Sequence, residues 1–192
     1  MATIGVLALQ GDVSEHLQAV RECGAQAREV RTVGELEAVD ALIIPGGEST
    51  AIGKLMAKGG LHDPIRGRAA GGMPIFGTCA GQILLAKEVE GGAPQGLRLM
   101  DIRVVRNAFG SQRESFEAEI EAPAIGDRPV KGVFIRAPYI LNVGPGVEVL
   151  ARFEGKIVMA RQGRLLAAAF HPELTDDRRI HQFFLSEFMQ SP

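Results

Sequence analysis

The chain has 192 residues, 46% of them apolar, with 21 Lys or Arg against 23 Asp or Glu and a formal net charge of −2. That length and apolar content suit one domain, residues 1–192, with a sizeable core; they exclude intrinsic disorder and a small disulfide-stapled scaffold. The near balance of charge excludes the concentrated basic surface of a protein whose main partner is nucleic acid.

The chain opens on an apolar run from Thr3 to Leu9. It lacks a charged leading segment and is too short for a signal core or a membrane span. A buried strand in a cytoplasmic protein without membrane association is expected. Cys23 and Cys79 are then expected to stay reduced and to need separate explanations.

Gln10-Gly11 reads as a turn, and Asp12 with Glu15 three residues on reads as an acidic helix N-cap. The helix places Val13, Leu17 and Val20 on one face and stops at Cys23-Gly24, where glycine suits the left-handed cap. A short strand follows near Ala27 to Val30. Ala41 to Pro45 is a second bare apolar run, then Gly46-Gly47-Glu48-Ser49-Thr50 and a helix through Ile52, Leu55 and Met56. The pattern comes a third time as Pro74-Ile75-Phe76, Gly77-Thr78-Cys79-Ala80-Gly81 and a helix over Ile83 to Lys87. Strands buried on both faces and alternating with helices predict an α/β fold with a mostly parallel open sheet between two helical layers.

From Glu90 to Gly146 the helical period fades, and Ile102 to Val105, Phe116 to Ile120 and Val130 to Ile135 read as strands. Val147 to Arg152, Lys156 to Arg161 and Leu165 to Phe170 predict a hairpin and a return to the main sheet. A closing helix carries the stripe Ile180, Phe183, Phe184 and Phe188.

In open α/β sheets ligands gather at the carboxyl ends of strands, where all three glycine-rich turns sit. Gly77-Thr78-Cys79-Ala80-Gly81 has the form of a nucleophile elbow, and a cysteine opening a helix meets the positive end of its dipole. Cys79 is therefore the candidate nucleophile, whereas Cys23 is read as a small apolar residue. Of the four histidines, His16 and His181 fall within amphipathic helices and His62 in a connecting segment, and these three are read as solvated or packing residues. His171 follows an apolar strand and is the candidate base. Glu173, two residues on and so on the same side of an extended chain, is expected to orient it, with Pro172 stiffening the geometry. An oxyanion would find backbone donors at Ala80, after the nucleophile, and at the Gly46-Gly47 turn.

In order along the chain, a Gly-Gly loop, a G-x-C-x-G elbow and a late His-Pro-Glu resemble the class I glutamine amidotransferases, which implies a flavodoxin-like sheet with a small antiparallel extension. Leu9-Gln10-Gly11, Pro45 to Thr50, Phe76 to Gly81, Arg106-Asn107, Phe134-Ile135-Arg136-Ala137-Pro138 and Phe170 to Thr175 are similar to the branch that serves pyridoxal 5'-phosphate synthesis. The resemblance implies hydrolysis of L-glutamine through Cys79, His171 and Glu173, with glutamine contacts at Gly47, Glu48, Ser49, Arg106, Ile135 and Arg136 and Gly47 and Ala80 lining the oxyanion hole. It also implies a (β/α)8-barrel pyridoxal 5'-phosphate synthase subunit as partner in a hetero-oligomer, Gln10 as a coupling residue, and no metal or organic cofactor. Ser111 departs from the arginine expected in many relatives. Two other readings stand beside this one: a glutaminase for another synthase, such as that of histidine biosynthesis, and a non-catalytic docking or regulatory subunit.

Overall fold

The computed structural model of the chain describes residues 2–92, 95–107, 109 and 114–188. Ser111 lies outside the described residues. The elements begin with β1 (Thr3–Leu7), α1 (Val13–Glu22), β2 (Gln26–Val30), α2 (Val33–Glu37), β3 (Ala41–Ile44) and α3 (Ser49–Lys58). They continue with α4 (His62–Ala70), β4 (Ile75–Thr78), α5 (Ala80–Leu85), β5 (Ala86–Val89) and β6 (Met100–Val105). A hairpin of β7 (Ser115–Ile120) and β8 (Val130–Ile135) precedes β9 (Tyr139–Val143), β10 (Glu148–Phe153), β11 (Lys156–Gln162) and β12 (Leu165–Ala168). A 3₁₀ turn over Pro172–Leu174 leads to α6 (Arg179–Phe188).

The main sheet runs β2-β1-β3-β4-β12-β11-β9-β6-β5, with β10 added beside β11. Its first five strands are parallel. The chain then turns antiparallel through β11, β9 and β6, and β7 pairs with β8 in a separate antiparallel ribbon. Central strands are bare apolar runs because successive residues supply opposite cores. Leu42, Ile44 and Ile75 pack with Leu36, Ile52, Met56 and Ile65 from α2, α3 and α4 on one face. Ala41, Ile43 and Phe76 pack with Leu17 and Val20 of α1 and Ile180 and Phe184 of α6 on the other. Each buried Leu, Ile, Val, Met or Phe among them contributes about 1.5–3 kcal/mol, so the two helical layers are held chiefly by these stripes.

Three local expectations change. The helix expected over Ile83 to Lys87 ends at Leu85, because Ala86 turns extended (ψ 140) and pairs with β6. His62 opens helix α4 instead of lying in a connector; with Ile65 its one fully buried residue, that helix carries no stripe for a periodicity argument to find. Asp12 does not cap α1 with its side chain. Strand β12 matters most for function, since Ala168 stands opposite Thr78 and accepts a hydrogen bond of 2.8 Å from the Cys79 amide. The sheet therefore delivers the residues after β12 directly beside those after β4.

Candidate active site

Cys79 is the link between β4 and α5 and has φ 48 and ψ −102, a conformation that side chains other than glycine rarely adopt. The tight approach of the elbow to the sheet imposes it. A Cβ at Gly81 would stand 2.1 Å from the Ile44 carbonyl oxygen, so only glycine lets α5 start this close to β3. Its thiol is nearly buried and lies 3.8 Å from the carbonyl oxygen of Ile135.

His171 is fixed by its own amide, which donates to Val133 O at 2.8 Å on strand β8. Glu173 reaches the ring by a route other than the expected extended one. The backbone leaves β12 at Ala168, and His171 precedes the 3₁₀ turn, whose first position suits the fixed φ of Pro172. One tight turn brings Glu173 Oε1 to 2.7 Å from His171 Nδ1. Asp12 Oδ2 lies 3.3 Å from the same nitrogen, so the residue read as a helix cap faces the imidazole instead. Nε2, buried and without an oxygen or nitrogen partner, is left for Cys79.

The electrostatics follow from this crowding. Burial opposes charge on His171 more than any other single influence, yet hydrogen bonds with Asp12, Cys79 and Glu173 outweigh it and push its pKa up to about 12. Burial also raises Glu173, against the attraction of His171. These directions compete for one proton. The second carboxylate, Asp12, decides in favour of an imidazolium, because two acceptors converge on one nitrogen and a buried charge is tolerated when paired. Asp12, His171 and Glu173 offer ligand atoms within 4.8 Å of one another.

In front of the pair lies a pocket of about 470 Å³. All six residues anticipated for glutamine, namely Gly47, Glu48, Ser49, Arg106, Ile135 and Arg136, line it together with Cys79, Ala80 and His171. Three of the five non-glycine residues with positive φ among those described, Cys79, Asn107 and Arg136, are on its walls, which is where backbone strain tends to collect when shape is functional. The Glu48 carboxylate caps α3, accepting from the amides of Thr50 at 2.9 Å and Ala51 at 2.7 Å. Those amides hold it below the ordinary carboxylate pKa. Gln10 is behind the loop, its Oε1 accepting from Glu48 N at 2.7 Å. The Gly46 carbonyl accepts from Asp12 N at 3.1 Å, and a Cβ at Gly46 would meet His171 Cε1 at 2.3 Å.

Of the two roles expected for His16 and His181, packing is the one they take, for both are buried, and they sit behind Glu173. His16 Nε2 is 3.4 Å from Glu173 Oε2 and 3.0 Å from Thr78 Oγ1, and its Nδ1 is 3.0 Å from His181 Nε2. Burial pushes the His16 pKa well below its ordinary value, reinforced by His181 and His171. Burial likewise lowers His181, to about 4, with help from Arg178. The helical period contained the signal: His16 falls in the stripe of Val13, Leu17 and Val20, and His181 in that of Phe184 and Phe188. Asp12, Asn107 and Ile83 were also missed as pocket residues.

The strand order, and the place of the cysteine elbow within it, define the class: a class I glutamine amidotransferase. More narrowly, the chain belongs to the SNO glutamine amidotransferase family, whose profile matches residues 6–190. It is 60% identical to the pyridoxal 5'-phosphate synthase subunit PdxT of Desulforudis audaxviator, over 96% of this chain and 98% of that one. Identity to the subunit of the same name from Pelotomaculum thermopropionicum is 57%, over 98% and 96%. A crystal structure described as a glutamine amidotransferase matches at a TM-score of 0.90 and 51% identity, covering 95% of this chain and 96% of the other. PurLQS from Thermotoga maritima, at 16% identity and a TM-score of 0.72 over 97% and 99%, shares the fold alone. Among the described residues no helix is long and apolar enough to cross a membrane.

Proposed function

We propose that this chain, acting as one glutaminase domain, hydrolyses L-glutamine to L-glutamate and ammonia and passes the ammonia to a pyridoxal 5'-phosphate synthase subunit of (β/α)8-barrel form. The observation that carries the chemistry is the strained elbow cysteine beside an imidazole whose far nitrogen is shared by two carboxylates. The proton of the Cys79 thiol rests on His171 Nε2, where it completes the imidazolium, and the sulfur attacks the side-chain amide carbon of glutamine. Negative charge then develops on the amide oxygen, where the backbone N–H groups of Ala80 and Gly47 are its donors. His171 returns the proton to the departing nitrogen, which leaves as ammonia, and Cys79 retains the glutamyl group as a thioester. Water attacks the thioester with His171 again taking a proton, and glutamate leaves. Glu173 holds the ring and stabilises its charge throughout.

The pocket supports the substrate assignment. Arg106 and Arg136 suit the α-carboxylate by charge and fork geometry, while the Gly47 to Ser49 loop and the backbone of Ile135 suit the polar groups of an amino acid amide. Because Glu48 spends its carboxylate on the α3 amides, its contact with glutamine is through the backbone in this state. Gln10 is the coupling residue: its amide holds Glu48 N, and a Cβ at Gly47 would stand 2.5 Å from its Oε1, so displacement of Gln10 by a docked partner releases the loop that supplies the Gly47 donor.

Glutamate release, measured with and without the synthase of a close relative, tests this reading. Strong stimulation by that synthase is expected, together with incorporation of glutamine nitrogen into pyridoxal 5'-phosphate. Absence of release in both conditions would overturn it.

A further inference from the structure

Behind Glu173 lies a set of buried polar groups for which the triad chemistry has no use. Glu173 Oε1 bonds His171, but among the described residues Oε2 is buried without a hydrogen-bond partner, and His16 Nε2 faces it at 3.4 Å. A buried carboxylate oxygen without a donor is costly, so the hydrogen on His16 can be placed by elimination. If Nε2 carried no hydrogen it would set a lone pair against Oε2. Nε2 is therefore assigned the N–H, which bonds Thr78 Oγ1 at 3.0 Å and turns its positive end toward Oε2. His16 Nδ1 is then an acceptor, which requires His181 to present N–H from Nε2 at 3.0 Å. Both rings are wedged edge-on against Phe76, at centroid distances of 6.4 and 6.1 Å, so neither can turn to the other tautomer's geometry freely.

We propose that His16 and His181 form a neutral positioning relay that fixes the rotamer of Glu173, so that Oε1 is offered to His171 Nδ1 while Thr78 ties the same relay to the strand that carries Cys79. The inference deepens the glutaminase reading and rests on it for its kinetic consequences. Thr78 is the residue before the nucleophile and belongs to β4, whereas Glu173 follows β12. One imidazole therefore references both halves of the site to α1, a helix that contributes nothing to the pocket itself. Low basicity serves this arrangement, since protonation of His16 would remove the acceptor that orders His181. The charged or titratable neighbours of the relay are Glu173 and His171 on one side and Arg178 and Glu22 on the other.

The test compares His16→Leu with His16→Gln in the glutaminase–synthase complex. Gln can place a side-chain N–H near the position of Nε2, whereas Leu fills the space without a donor. The Leu variant is expected to lose kcat roughly tenfold with KM within about twofold, as when other outer-layer partners of a functional group are removed, and the Gln variant to regain most of the loss. His181→Leu, one step farther out, is expected to give a smaller fall in the same constant and stands in should His16→Leu fail to fold. Equal kcat in the Leu and Gln variants would reduce His16 to packing and overturn the relay. A reading independent of turnover is nitrogen-15 NMR of the isolated chain, in which His16 is expected as the Nε2–H tautomer and the Nδ1 proton of His171 moves in His16→Leu and returns in His16→Gln. His16 protonated on Nδ1, or a His171 proton indifferent to both variants, would contradict the proposal even if the parent released no glutamate, which would instead count against the glutaminase reading.

Discussion

Replacing His181 by Gln should make the protein less sensitive to acid. His181 is buried and its pKa falls from 6.5 to about 4, chiefly through burial and then through Arg178. In the unfolded chain the same imidazole takes its proton near 6.5. Between those values the unfolded state binds more protons, so the stability contributed by keeping His181 neutral is fully present above pH 6.5 and is lost as pH falls toward 4. At 1.36 kcal/mol per pH unit the whole span amounts to about 3 kcal/mol, of which about 2 kcal/mol is spent by pH 5. Gln has no proton to take and can still donate to His16 Nδ1. Urea unfolding followed by circular dichroism at pH 7.5 and pH 5 should show the parent losing about 2 kcal/mol more than the variant over that interval. The variant can be less stable at pH 7.5, because the ring packs on Phe76; only the pH-dependent difference matters. Equal losses in the two proteins would refute the claim that His181 is neutral when folded.

Two further outcomes follow from the site and its scaffold. Glu173→Gln should lower kcat on the order of 10²–10⁴-fold with little change in KM, since Glu173 orients His171 but does not line the pocket; nitrogen-15 NMR should show the His171 pKa falling from about 12, and an unchanged value would contradict the assigned pairing. Gly81→Ala should destabilise the fold by about 1–3 kcal/mol, because its Cβ would meet backbone atoms of Ile44 that cannot turn aside. Scanning calorimetry would show this as a lower Tm, and glutaminase activity should fall with it as Cys79 is displaced; a variant matching the parent in both would show that the elbow is not tightly seated.

Strands β1, β3 and β4 of the parallel half were legible because they are buried and each leads into a glycine-containing turn. The elbow, the Gly-Gly loop and His171 were legible for the same reason, since each lies where a strand stops. Strand β9 was not legible, for Tyr139–Val143 exposes or half-exposes all but Ile140 and gives no alternation. The short α2 was missed although Thr32 and Glu35 form a full capping box. Asp12 was misread because an acidic residue before a helix satisfies two descriptions, and the chain alone does not tell whether its carboxylate turns to its own helix or across to His171. His16 and His181 were left between solvated and packing because a histidine was weighed by its distance from strand ends, while the apolar stripe containing it was the better guide to burial.

The central claim is that Cys79 takes the glutamyl group from glutamine. Acid quenching of the complex during turnover, followed by peptide mass spectrometry, tests it most directly. A glutamyl thioester on the peptide containing Cys79 is expected in the parent, with neither adduct nor glutamate release in Cys79→Ala. Glutamate release by Cys79→Ala at the parent rate would contradict the account.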